Sequence, residues 1–248
     1  MGTERESVIG GVIGTADALD LTMDAHVHTG FSGGRDSVGV VVSAADEAGL
    51  TEITFADQVG PDTAWLSAYA NAVRRARQRT EMNLRVAAEV EVVQPDGWLA
   101  WPADLGHIEV VSVAVSRLPL AGGPLTPREV RAMLATGELT AEQVAEKLIT
   151  ATVQGVERAS RYAPTQLARP LSLLVQAGLD DTVVTPDLIA ALADACRQTG
   201  TVVEVSESWR SPSARIVAML RAAQVALVPA SDARYAAEVG RWQYLRRV

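Results

Sequence analysis

The sequence predicts an α/β protein folded as a single barrel of about seven parallel strands. Three observations lead there. Short apolar runs rich in Val, Ile and Ala alternate with helix-period segments, the order that gives right-handed crossovers and a parallel sheet. The alternation runs through most of the 248 residues without a long linker, internal repeat or low-complexity segment, which suits one barrel better than two small domains. Hydrophobic residues make up 48% of the chain and aromatics only 4%, so a sizeable core is expected, built mainly from Val, Ala, Leu and Ile.

Residues 1–20, with Gly10, Gly11 and Gly14, read as an N-terminal lead-in, and 21–248 as the barrel domain. Residues 21–28 read as the first strand and 37–48 as a helix closed by Gly49. A short strand over 52–56 ends at Asp57, and 64–80 form a helix with a basic stretch at Arg74, Arg75, Arg77 and Arg79. That stretch reads as a solvated helix face with no function assigned. The third strand spans 84–93 and is turned by Pro95-Asp96-Gly97; the fourth spans 108–115. Helices follow over 127–134 and 140–162, the second opened by Thr140 with Glu142 in its first turn. Residues 165–168 suit a short strand, 186–198 a helix, 201–205 a strand, 212–223 a helix and 225–228 a last strand, followed by Ser231-Asp232.

Composition excludes several classes. The net charge of −8 argues against nucleic acid or an anionic membrane as partner. No apolar run approaches the ~20 residues of a spanning helix, and the first residues lack the basic-then-apolar order of a signal peptide. Cys196 is alone, so no internal disulfide forms and a cytoplasmic location is expected. Lys147, the only lysine, falls on the polar side of a helix, away from Schiff-base chemistry.

Chemistry concentrates at the strand ends, where barrels carry their sites. His26 and His28 are two of only three histidines, and i, i+2 spacing puts both on one face of a strand. Such a pair suits a transition metal, though an edge strand also places alternating polar residues on its wet face. Asp57 ends the second strand, Glu89 and Glu91 lie late in the third, and Asp232 follows the last. His107 precedes the fourth strand, at the opposite end.

In the segments Asp24-Ala-His-Val-His-Thr-Gly-Phe-Ser32, Gly49-Leu-Thr-Glu-Ile-Thr-Phe-Ala-Asp57, Ala87-Ala-Glu-Val-Glu91 and Ser231-Asp-Ala233, the chain resembles the PHP (polymerase and histidinol phosphatase) family. The likeness keeps the family's order from about Asp24 to Trp242. It implies a single distorted (β/α)7 TIM-like barrel, up to three metal ions and phosphoester hydrolysis. It also implies that His26, His28, Glu89 and Asp232 form the first metal position, with Glu89 preferred to Glu91. Four histidines of the family pattern are replaced: Asp57-Gln58, Ala114-Val-Ser116, Arg169-Pro170 and Asp232-Ala-Arg234 stand in their places. The expectation is therefore one divalent ion per chain, Zn, Mn or Fe, with Arg169 and Arg234 gripping an anion where cations are lost. The competing expectation is that each arginine pairs with a leftover acid such as Asp57 or Glu89. Asp57 is expected as a general base or a partner of an imidazole. Gln58, Ser116 and Trp209 are expected against substrate, and Trp65 as a pocket wall. Glu204 either lines the pocket or bonds within the barrel.

Two functions follow. One is a PHP-like metal-dependent hydrolase (phosphoesterase type) acting on a small phosphorylated or anionic metabolite. The other is a repurposed PHP-like protein that binds a ligand or partner without metal hydrolysis. An amidohydrolase would need further histidines on the fifth and sixth strands, and none are present. Oligomeric state is not encoded in any feature of the chain.

Overall fold

The computed structural model describes residues 18–248; the lead-in expected over 1–20 lies almost wholly outside them. Seven strands, β1 (Met23–Val27), β2 (Glu52–Val59), β3 (Asn83–Glu91), β4 (Val110–Ala114), β5 (Thr165–Leu167), β6 (Val202–Ser206) and β7 (Leu227–Ala230), lie in sequence order and pair in parallel. The result is the expected α/β architecture, a nearly closed (β/α)7 TIM-like barrel. The seam between β1 and β7 is not a regular ladder. It is bridged by Asp232 N–H to His26 O at 2.9 Å, His28 N–H to Ala233 O at 3.0 Å, and Ser231 N–H to the Asp24 carboxylate at 2.9 Å.

Helices α1 (Val38–Glu47), α2 (Leu66–Arg77), α3 (Pro127–Thr136), α4 (Ala141–Ala159), α5 (Ser172–Ala177), α6 (Pro186–Thr199) and α7 (Ala214–Ala222) supply the outer layer. Their ends follow local chemistry. Ser37, Thr126, Thr140, Thr185 and Ser213 each accept a first-turn N–H, and left-handed Gly137 and Gly200 close α3 and α6. Glu142 lies in the first turn of α4 as expected, and Gln143 is the reciprocal partner of Thr140. The expected helix at 212–223 starts two residues later, because Ser213 is its cap.

Three further elements depart from expectation. β2 continues past Asp57 to Val59, since Asp57 and Gln58 still pair with Ala88 and Glu89 of β3. β7 sits two residues later than expected. α5 was not foreseen: its residues are mostly apolar and mostly buried, so no polar face marks a helical period.

The main hydrophobic core lies between strands and helices, with Phe55, Tyr69, Leu148 and Ile189 fully buried. The barrel interior is polar instead. Asp24, His26, Glu89, Ser112, Gln166 and Glu204 are all buried, and Ser112, Gln166 and His26 bond to Glu204. Most TIM barrels fill this space with branched apolar residues.

The Pro95-Asp96-Gly97 turn docks closely on α4. Gly97 has φ +78°, and a Cβ there would lie 2.3 Å from the Gln154 carbonyl carbon. Gly97→Ala therefore meets both a backbone penalty and an immovable neighbour. Urea denaturation is expected to show a loss of about 2 kcal/mol or more.

Candidate metal centre

The parallel register delivers His26 from β1, His28 just after it, Glu89 from β3 and Asp232 just after β7 to one end of the barrel. One ligand atom from each lies within 4.8 Å of the others. His26 Nε2 is 3.0 Å from Glu89 Oε2 and 3.7 Å from Asp232 Oδ1; His28 Nε2 is 3.7 Å and 2.8 Å from the same two oxygens. Four donors about 2.0–2.1 Å from a tetrahedral ion would stand about 3.3 Å apart, and the four distances straddle that value.

The surroundings fix one imidazole in a ligating state. Glu204 Oε1 lies 2.8 Å from His26 Nδ1 and also accepts from Gln166 Nε2 at 2.8 Å. Neutral His26 then carries its proton on Nδ1 and offers the Nε2 lone pair, the carboxylate–histidine arrangement of metal sites. His26 Nε2 has no aligned hydrogen-bond partner despite its closeness to Glu89, and His28 Nδ1 has none either. A buried nitrogen left without a partner among carboxylates is the opening that a cation fills. The donor set, two imidazoles and two carboxylates, fits a divalent ion.

The charges support the same conclusion. Glu89, Asp232 and Glu204 are buried with the single guanidinium of Arg169 among them. Two negative charges are left over when both histidines are neutral, and one divalent ion or two imidazole protons would cancel them. Without an ion, burial opposes charge on His26, yet Glu204 and Glu89 outweigh it and raise its pKa well above the usual imidazole value. Burial likewise raises Glu89, but Arg169 and His26 overcome this and bring it down to about 2. Asp232 is lowered too, against burial, by its bond to His28 and by the His26 and Arg169 charges.

The other expected residues fall around this cluster. Arg169 lays its guanidinium on both Glu89 oxygens, with Nη1 3.2 Å from Oε2 and 3.5 Å from Asp232 Oδ1. It is thus paired with the leftover acids, the competing expectation for this residue. Trp209 donates its indole N–H to Asp232 Oδ2, and its ring centroid is 6.0 Å from the Arg169 guanidinium carbon. Asp57 touches no imidazole. It accepts from Thr29 N–H, the Thr29 hydroxyl and the Ser32 hydroxyl, anchoring the β1–α1 loop. Gln58 Nε2 reaches Glu89 Oε1 at 3.4 Å. Ser116 bonds Glu91, not the cluster. The Arg234 guanidinium reaches only Gly33 O, at 3.4 Å, and has no carboxylate within ion-pair distance among the described residues, while its backbone N–H donates to Glu238 at 2.9 Å. Trp65 stacks with Phe31 and Tyr69. His107 stays near Asp104, away from the centre.

Glu204 is a residue of the buried cluster whose place the sequence left open, and its position late in β6 between apolar neighbours was the available signal. Backbone strain gathers here as well. Arg169, Leu171, Arg210 and Asp232 all have positive φ, between +35° and +66°, a cost of order 1–3 kcal/mol each that accumulates at functional sites.

No protein-family model matches the chain, and no curated protein matches it. Solved structures that resemble it include an HpcH/HpaI aldolase from Desulfitobacterium hafniense, at 13% identity and TM-score 0.39 over 87% of this chain and 86% of that one. N-isopropylammelide isopropylaminohydrolase from Burkholderia multivorans gives 14% and 0.43 over 86% and 61%. A candidate metal-dependent phosphoesterase from Bifidobacterium adolescentis gives 14% and 0.35 over 87% and 88%. At these levels the similarities assign no residue a role. Among the described residues, no helix is long and apolar enough to cross a membrane.

Glu91 offers a pH test. Burial outweighs its bonds from Ser116 and raises its pKa from 4.5 to about 7. The proton therefore favours the folded state: its contribution is complete below pH 4.5 and is lost as pH rises through about 7. In chelator-treated protein, Glu91→Gln is expected to gain stability relative to wild type between pH 4.5 and pH 8, by up to about 3 kcal/mol in urea denaturation.

Proposed function

We propose that the chain is a metal-dependent hydrolase of phosphoester type, acting on a small phosphorylated or otherwise anionic metabolite. The observation that carries this reading is the convergence of His26, His28, Glu89 and Asp232 in a buried set whose donor atoms have metal-ligand spacing. The resemblance to the PHP family, carried by the segments around His26, Asp57, Glu89 and Asp232, supports the same reading. One Zn, Mn or Fe per chain suits two imidazoles and two carboxylates. Such an ion supplies Lewis acidity toward a phosphoryl oxygen.

The chain's own residues set the rest. Glu204 holds His26 in its ligating tautomer. Arg169 positions Glu89 and Asp232 from one side, and Gln58 touches Glu89 from another. Asp57 ties down the loop through Thr29 and Ser32. The Arg234 guanidinium, with no carboxylate within ion-pair distance among the described residues, is the one left for substrate anion.

A second reading, a ligand-binding protein without hydrolysis, draws on one observation. With Arg169 across Glu89 and Asp232, and Trp209 on Asp232, both carboxylates have partners without a metal.

Metal content separates the two. Protein purified without added metal is expected to carry about one Zn, Mn or Fe, lost in a His26→Ala/His28→Ala variant. Adding Zn or Mn to chelator-treated wild type should raise Tm by about 5 °C or more at saturating metal. No metal and an unchanged Tm would select the second reading. Arg234→Ala is expected to raise KM for an aryl phosphate about tenfold, with stability within about 1 kcal/mol of wild type.

A further inference from the structure

We propose that the groove between α1 and α2 is a second binding site, for a small molecule bearing two or more negative charges such as phosphate groups. This proposal is independent of the metal centre. The groove encloses about 710 Å³, within the roughly 300–1,000 Å³ of small-molecule sites. Arg35 from the β1–α1 loop, Arg75 from α2 and Arg79 from just beyond its C-terminus line it. None of the three has a carboxylate within ion-pair distance among the described residues, a condition shared by most arginines of this chain; what sets them apart is that they line one groove.

Acids outnumber bases, 30 to 22, yet three cations meet in one groove without a counterion. Convergent like charges repel one another unless an anion lies between them. The one carboxylate in the lining, Asp36, is taken by the Ala236 N–H at 2.7 Å. The first turn of α1 opens onto the same space and carries no acidic side chain. Nothing stands within 4 Å of where a Cβ of Gly39 would be. Phe31, Val38, Val42, Ala72 and Ala76 supply an apolar floor. Charge at one side and an apolar floor at the other suit a phosphorylated metabolite with a hydrocarbon or ring body.

The groove and the metal centre share one loop. Thr29 and Ser32 turn their hydroxyls to Asp57, while Gly30, Phe31 and Arg35 line the groove. A ligand seated there touches the segment that anchors Asp57.

The test is calorimetric titration of inorganic pyrophosphate into the full chain at low and raised salt. Four variants join the wild type: Arg75→Ala/Arg79→Ala, Gly39→Glu, Arg74→Ala and Arg234→Ala. Arg75 and Arg79 are exposed, so the double variant keeps its fold, checked by circular dichroism and Tm. Saturable binding by wild type that weakens with salt is expected. Arg75→Ala/Arg79→Ala and Gly39→Glu should each weaken it about tenfold or more. Arg74→Ala, on the same helix but outside the lining, should leave it unchanged, and Arg234→Ala should leave the part lost in Arg75→Ala/Arg79→Ala in place. Absence of binding overturns the proposal. So does unchanged affinity in the double variant, an equal loss in Arg74→Ala, which would mean diffuse charge alone, or a loss confined to Arg234→Ala, which would place the anion at the barrel rim.

Discussion

The bond between Glu204 Oε1 and His26 Nδ1, 2.8 Å long and closed to water, joins the sixth strand to the first across the middle of the barrel. Much else depends on it. Glu204 also takes the Gln166 amide, the Ser112 hydroxyl and the Arg169 backbone N–H, so one carboxylate ties four strands or their ends together. Such a group is stable away from water only when its charge is answered. His26 answers it on one side, and Arg169, through Glu89 and Asp232, balances the neighbouring acids. The barrel interior is thus an electrostatic unit in which no member is removed without exposing another.

Division of labour between the two layers follows from that unit. The apolar core sits outside the sheet, against the helices, where Leu148, Ile149, Leu192 and Ile216 are buried. Stability of the ordinary kind, from apolar area removed from water, is supplied there. The interior is left for polar groups whose net contribution is small or negative on their own. A barrel with few aromatics manages this because its small interior residues, Ala56 and Ala87 among them, leave room for the imidazoles and carboxylates above.

Much of this was legible in the sequence, for physical reasons that can be named. Caps announce themselves locally: Thr126 with Glu129, and Thr185 before Pro186, mark helix starts within a few residues. His26 and His28 were legible because i, i+2 spacing forces a shared face once the segment is a strand. Strand order brings Asp57, Glu89, Glu91 and Asp232 to the same rim, since parallel strands bring their ends together, whereas the choice of Glu89 and Asp232 as the partners of the imidazoles came with the resemblance. Helix α5 was not legible, because burial on most sides erases the periodicity that betrays a helix. The partner of Arg169 was left open between anion and acid, as a guanidinium serves both equally well in one dimension. The basic stretch read as a solvated face, and Arg74, Arg75 and Arg79 are exposed; that Arg35 of a neighbouring loop lines the same groove was not legible, because a helix wheel shows only what lies on one helix.

His28 and Asp232 are separated by 204 positions yet lie 2.8 Å apart across the β1–β7 seam. Bringing such distant positions together is one of the longest loop closures in the molecule, and it happens only when the last strand is in place beside the first. A chain emerging from synthesis presents His26 and His28 first and Asp232 last of the four. The four-residue cluster therefore does not exist on a nascent chain at any length short of the seventh strand. Any cation held by the full set is taken up by a finished barrel, which makes loading of the site a report on completed folding.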